Sequence, residues 1–176
     1  MESTMTLTAV SDSPASVATD KPIRVLVVDD EAAVCDLLVS FLKSLSYEVE
    51  TATDGLSGLN KYAHGRYDLV ITDLSMPNMD GIELVRQIKE IDDEAVILLI
   101  TGYPTIGSAV EAIKQGATDY ITKPFALDEI KIRIDKAIGA KVLKGRLKSA
   151  QGLAWGLVFS IPLWLILGIV LAFIFK

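Results

Sequence analysis

The sequence predicts an α/β fold, a five-stranded parallel sheet covered by helices on both faces, with one membrane-spanning helix after it. Three observations carry this. Five short apolar runs, at residues 23–28, 48–52, 69–72, 95–100 and 119–122, alternate with five amphipathic segments, at 31–45, 55–64, 82–91, 105–115 and 127–138. Parallel strands need a crossover between them and a helix commonly supplies it, so strict alternation means βα units and a sheet buried on both sides. Acidic residues stand where two of the runs end, and from Gln151 to Phe175 no residue is charged.

Taken in order, residues 1–21 are rich in Ser, Thr, Ala and Asp, lack periodicity, and are expected to be disordered. They also lack the basic start and apolar core of a cleavable signal. The first strand, Ile23-Arg24-Val25-Leu26-Val27-Val28, stops at Asp29-Asp30. Cys35, on the first helix among Val34, Leu37 and Leu38, reads as a small buried hydrophobe, since one thiol makes no intramolecular disulfide. His64, before Gly65 at the end of the second helix, has no metal-binding neighbours in sequence and reads as a solvated helix-end residue. The third strand ends in Thr72-Asp73; Asp80 with Glu83 suggests a capping box for the third helix, and Pro77 and Gly81 mark the tight loop before it. A domain over residues 22–139, a basic linker over 140–151 and a span over 152–175 complete the outline.

Charge gives the span a direction. All 23 acidic residues lie within residues 1–135 against 11 Lys and Arg, whereas Lys136, Lys141, Lys144, Arg146 and Lys148 follow with no acid, and only Lys176 lies beyond the apolar run. Basic residues stay on the cytoplasmic side, so a single-pass protein of the cytoplasmic (inner) membrane is expected, its large domain in the cytoplasm. At ~1.5 Å per residue the run reaches roughly 35 Å, enough for a hydrocarbon core of about 30 Å. Gly152, Gly156, Ser160, Gly168 and Ala172 share a four-residue spacing along it, a stripe that would let two copies approach as a homodimer, while small residues are common in spans anyway. The acidity of the domain argues against direct nucleic-acid binding.

Asp29, Asp30 and Asp73 form the candidate site. Carboxylates at the carboxyl ends of parallel strands meet in the crevice where open α/β sheets bind ligands, and they repel one another unless a cation joins them. A hard divalent metal is the natural guest.

With the site in view, the stretch from Lys21 to about Gly139 resembles the receiver domain of bacterial response regulators. The resemblance rests on Val27-Val28-Asp29-Asp30-Glu31, on Asp73 through Gly81, on Thr101-Gly102-Tyr103 and on Lys123-Pro124-Phe125; the run from Thr101 to Phe125 is most similar to the nitrogen-regulation class. It implies a flavodoxin-like sheet of order 2-1-3-4-5. It implies further that Asp73 accepts a phosphoryl group from a sensor histidine kinase or phosphotransfer protein. Asp29, Asp30, Asp73 and the backbone carbonyl of Ser75 would hold Mg²⁺, and Lys123 would assist transfer. Thr101 and Tyr120 would form a switch pair, Ser75 and Tyr103 would tune dephosphorylation, and Lys123-Pro124 would be a cis peptide. Output would pass to a protein that the sequence does not identify. Two other functions compete: a phosphorylation-independent membrane scaffold, and an aspartate-nucleophile phosphatase, whose Asp-x-Asp-Gly-Thr pattern is missing here.

Overall fold

The three inner strands form because their residues are apolar on both faces, while the two outer ones carry polar residues. Arg24–Val28 (β1), Glu48–Ala52 (β2), Leu69–Asp73 (β3), Ile97–Thr101 (β4) and Asp119–Thr122 (β5) pair in parallel in the order β2-β1-β3-β4-β5, in a computed structural model that describes residues 21–147. β1 and β3 lie in register from Val25 opposite Leu69 to Val28 opposite Thr72. The expected disordered segment up to residue 20 and the span at 152–175 with its small-residue stripe lie outside the described residues. Among the described residues no helix is long and apolar enough to cross a membrane.

The period of two splits the strand residues between two cores. Val25, Val27, Leu69, Ile71, Leu98 and Ile100 point to one side, where Leu38 and Leu42 of Ala32–Ser44 (α1) and Ile130 and Ile134 of the fifth helix meet them. Leu26, Val28, Val70, Ile97 and Leu99 point to the other. There they meet Tyr62 of Gly55–His64 (α2), Leu84, Val85 and Ile88 of Gly81–Ile91 (α3) and Ala112 of Ile106–Lys114 (α4). Each face therefore removes one set of side chains from water, which is why β1, β3 and β4 show no polar alternation.

Two expectations are corrected. The fifth helix (α5) occupies residues 127–147, nine residues past its expected end at 138, so most of the stretch assigned as a linker is helix. Gly139 does not end it, because one glycine costs a helix only about 1 kcal/mol, and Ala140, Lys141, Leu143 and Lys144 favour its continuation. At α3 only half a capping box forms: Asp80 Oδ1 accepts the Glu83 N–H at 2.8 Å, while the Glu83 carboxylate turns to Arg86 and Gln87. The reciprocal box sits at α4, between Thr105 and Ser108.

Candidate functional site

Asp29, Asp73 and Thr101 each follow or end a strand whose apolar residues are buried, so their polar groups emerge together at the carboxyl edge of the sheet. All three are buried. Lys123, one residue past β5, reaches into the same place: its Nζ lies 2.8 Å from Asp73 Oδ1, 3.0 Å from Asp29 Oδ2 and 3.1 Å from Glu31 Oε1. A cis Lys123-Pro124 bond, as expected, and a 2.7 Å bond from the Lys123 N–H to the Thr101 carbonyl fix the backbone from which the ammonium extends.

Each carboxylate is also held by its own loop. The Glu31 N–H donates to Asp29 Oδ1 at 2.9 Å, and the Ser75 N–H donates to Asp73 Oδ2 at 2.6 Å. Beyond Ser75, the Met79 N–H closes on the Pro77 carbonyl around Asn78, whose φ of 66° is a backbone state that asparagine tolerates better than most residues. Gly81 then comes back against the strand end, its N–H donating to the Leu74 carbonyl at 2.8 Å; a Cβ there would stand 2.1 Å from the Asp73 carbonyl oxygen. Only glycine allows that approach.

Burial raises the Asp29 pKa, and nearby Asp73 adds to the rise, against the Glu31 N–H and Lys123, which favour the charged form. For Lys123 burial acts to lower the value, but the bonds to Asp73, Asp29 and Glu31 outweigh it and hold the ammonium above the ordinary lysine range. Asp29, Glu31 and Asp73 thus share a single lysine. Asp30 is exposed and takes no ion-pair partner among the described residues. Among those residues no group of three or more carboxylate, imidazole or thiolate side chains is set to hold a metal. What the site provides instead is a few carboxylate oxygens with excess negative charge, the donor set that a hydrated Mg²⁺ ion accepts.

The remaining expected residues separate by exposure. Thr101 Oγ1 accepts the Tyr103 N–H at 3.1 Å, which leaves its own proton able to donate, while the Tyr103 side chain is 80% exposed. Tyr120 is half-buried against the second core, and its hydroxyl lies 3.2 Å from Ser108 Oγ, inside the α4 capping box. Two contributors were not given a role in sequence. Glu31 is the third carboxylate on Lys123, signalled only by its adjacency to Asp29-Asp30; Ser108 carried no signal, because Thr-x-x-Ser is a weaker box than Thr-x-x-Glu. His64 is exposed, its Nδ1 2.9 Å from the Asn60 carbonyl, and Cys35 is buried with its thiol directed at the Asp29 carbonyl.

Comparison with known families matches residues 25–135 to the response regulator receiver domain. The transcriptional regulatory protein ZraR of Klebsiella oxytoca is 37% identical over 116 residues, which are 66% of this chain and 26% of that protein. Response regulator MprA of Mycobacterium sp. (strain KMS) is 41% identical over 113 residues, 64% of this chain and 49% of that one. The match thus spans a quarter to a half of these relatives' length. Among solved structures, a chain of the CheX-CheY-BeF3-Mg+2 complex from Borrelia burgdorferi is similar with a TM-score of 0.63 and 29% identity, over 65% of this chain and 88% of that one.

Proposed function

The chain belongs to the response regulator receiver family, and from that premise we propose that it is a phosphorelay component whose Asp73 accepts a phosphoryl group from a histidine kinase or phosphotransfer protein. The observation that carries this is the Lys123 ammonium held between two buried carboxylates, Asp73 and Asp29. In the reaction an Asp73 oxygen attacks phosphorus, the P–N bond to the donor imidazole breaks, and an aspartyl phosphate forms. The Ser75 N–H orients the nucleophile, and Lys123 stands where it can meet the phosphoryl oxygens as negative charge spreads over them. Mg²⁺, when bound, supplies further positive charge at those oxygens. Asp29, Asp30, Asp73 and the Ser75 carbonyl are the groups that would hold it, and the Mg in the Borrelia relative's complex supports this choice of ion.

Thr101 and Tyr120 act in this reading as the switch pair. The Thr101 proton is free to donate to a new phosphoryl oxygen, and Tyr120, tied through Ser108 to the first turn of α4, passes the change to that helix. Ser75, two residues beyond the acceptor, and the exposed Tyr103, two beyond Thr101, tune in this reading how quickly water removes the group. Ile106, Val110 and Ile113 leave an apolar stripe exposed on α4, a surface for a protein partner or a second copy.

The uncharged run from Gln151 to Phe175 serves in the same reading as a single span, holding the receiver at the cytoplasmic face of the inner membrane. The test of the phosphorelay reading uses the full chain and its Asp73→Asn variant with labelled acetyl phosphate. Wild type is expected to label only with Mg²⁺ present and Asp73→Asn not at all; a wild type that stays unlabelled with Mg²⁺ overturns it.

A further inference from the structure

Parallel strands have two unlike edges, and α5 ends at the one opposite the carboxylates. Its residues Ile138, Lys141 and Val142 line a cleft of about 1100 Å³ together with the starts of β1, β2 and β3, and Lys144 lies 3.9 Å from Glu94, ahead of β4. From Leu147, the last described helical residue, only four residues lead to Gln151, where the uncharged run begins. Four residues reach at most about 14 Å. The amino edge of the sheet is therefore tethered close to the start of that run, whereas Asp29 and Asp73 lie farther off by the length of a five-residue strand, ~17 Å.

The chemistry of the two edges differs in the same sense. The carboxyl edge gathers Asp29, Glu31 and Asp73 around one lysine, with Asp30 exposed beside them. At the amino edge the acids are engaged from within the domain: Asp68 accepts the Arg24 N–H, Asp92 accepts the Tyr62 hydroxyl, and Glu48 is met by Arg24. Arg66 and Arg146 are left exposed and without an ion pair among the described residues. The cleft is lined by apolar residues, including Ile23, Tyr67 and Ile91, the last of them 55% exposed, by basic Arg24, Arg66 and Lys141, and by those three engaged acids.

We propose that this amino edge is a lipid-facing surface that seats on anionic phospholipid, with the cleft taking headgroup and glycerol and the phosphoacceptor facing away into the cytoplasm. The proposal rests on the membrane-anchored reading above. Apolar lining beside basic side chains matches a phospholipid's two halves, and each basic side chain at an anionic surface favours contact. The acidic edge, more than a Debye length away, is spared repulsion from the bilayer and stays open to a protein donor.

The test uses the full chain in phosphatidylglycerol-containing vesicles, with a fluorophore on Ala63→Cys at the cleft or on Ile106→Cys near the carboxyl edge, the native Cys35 being buried. With headgroup-attached quenchers, the label at position 63 is expected to be quenched several-fold more than that at 106. Lys141→Gln and Lys144→Gln should each weaken this preference about five-fold. Flotation of the vesicles at alkaline pH reports anchoring separately. Flotation with equal or reversed quenching overturns the lipid-facing edge and leaves the anchor standing, whereas loss of flotation overturns both. A position-63 label already shielded from a water-soluble quencher in detergent shows the cleft filled by the chain itself or a second copy, and also overturns the proposal.

Discussion

Among the described residues Lys123 is the one cation set between two buried acids, and that makes its removal costly in two ways. In Lys123→Met, Asp29 and Asp73 lose their shared partner at 3.0 and 2.8 Å while remaining buried. Leaving buried charge without its partner typically costs about 3–5 kcal/mol, and water entering this crevice should hold the loss near the lower end. Chemical denaturation of the metal-free protein measures it, and phosphate labelling should slow by about 10²-fold, as for other groups that meet developing charge. At the far edge, Tyr67 offers a pH prediction. Burial, then the bond to Glu50, pushes its phenol up to about 12, although Arg24 lies 5.3 Å over the ring and opposes the shift. A phenol raised above its unfolded value near 10 keeps its proton in the fold when the unfolded chain has lost it. Its stabilisation is thus complete below pH ~10 and disappears as pH rises toward 12. Denaturant midpoints across that range should fall less steeply in Tyr67→Phe than in wild type; identical slopes would assign the alkaline loss elsewhere.

At the scale of elements, the acceptor loop and α4 are the pieces whose sequence fixes the site's shape without touching its charges. Gly81→Ala forces a Cβ toward the Asp73 carbonyl oxygen, so either the start of α3 or the end of β3 must move. A cost of about 1–3 kcal/mol is expected, with slower labelling although every charged group is kept. Ser108→Ala removes one arm of the α4 capping box and the tether to Tyr120 together. It should cost about 0.5–2 kcal/mol and speed amide exchange in the first turn of α4, whereas Tyr120→Phe should loosen that turn while leaving the cap. These elements also show what could be read in advance. β1, β3 and β4 were legible because burial on both faces makes each a continuous apolar run, and Asp29, Asp73, Thr101 and Lys123 because each closes or follows a strand. The extension of α5 was not legible because the apolar periodicity weakens where Gly139 and the basic residues begin, although neither ends a helix. Glu31 was hidden because its part depends on the reach of Lys123 from a loop 92 residues away, a distance that no local pattern encodes.

Across the whole molecule, the proposed phosphoryl chemistry and the proposed attachment fall at opposite edges of one sheet. Five parallel strands run between them, β1, β3 and β4 buried along almost all of their lengths, and the residues that meet at the carboxylate site are not those of the last turns of α5. Perturbations at such separated positions usually add, within about 0.5 kcal/mol, which corresponds to roughly a two-fold change in rate. A chain ending at residue 147 keeps both cores and all of Asp29, Asp30, Asp73, Thr101 and Lys123. It should therefore label from acetyl phosphate at a rate within about two-fold of the full chain, with the same dependence on Mg²⁺ and on Asp73. The same truncation should abolish flotation with vesicles, because the uncharged run is gone. A large fall in labelling, in protein whose denaturation midpoint is unchanged, would mean that residues beyond 147 shape the acceptor site directly. The two edges could not then be independent, and the separation between phosphoryl transfer and membrane contact would have to be given up.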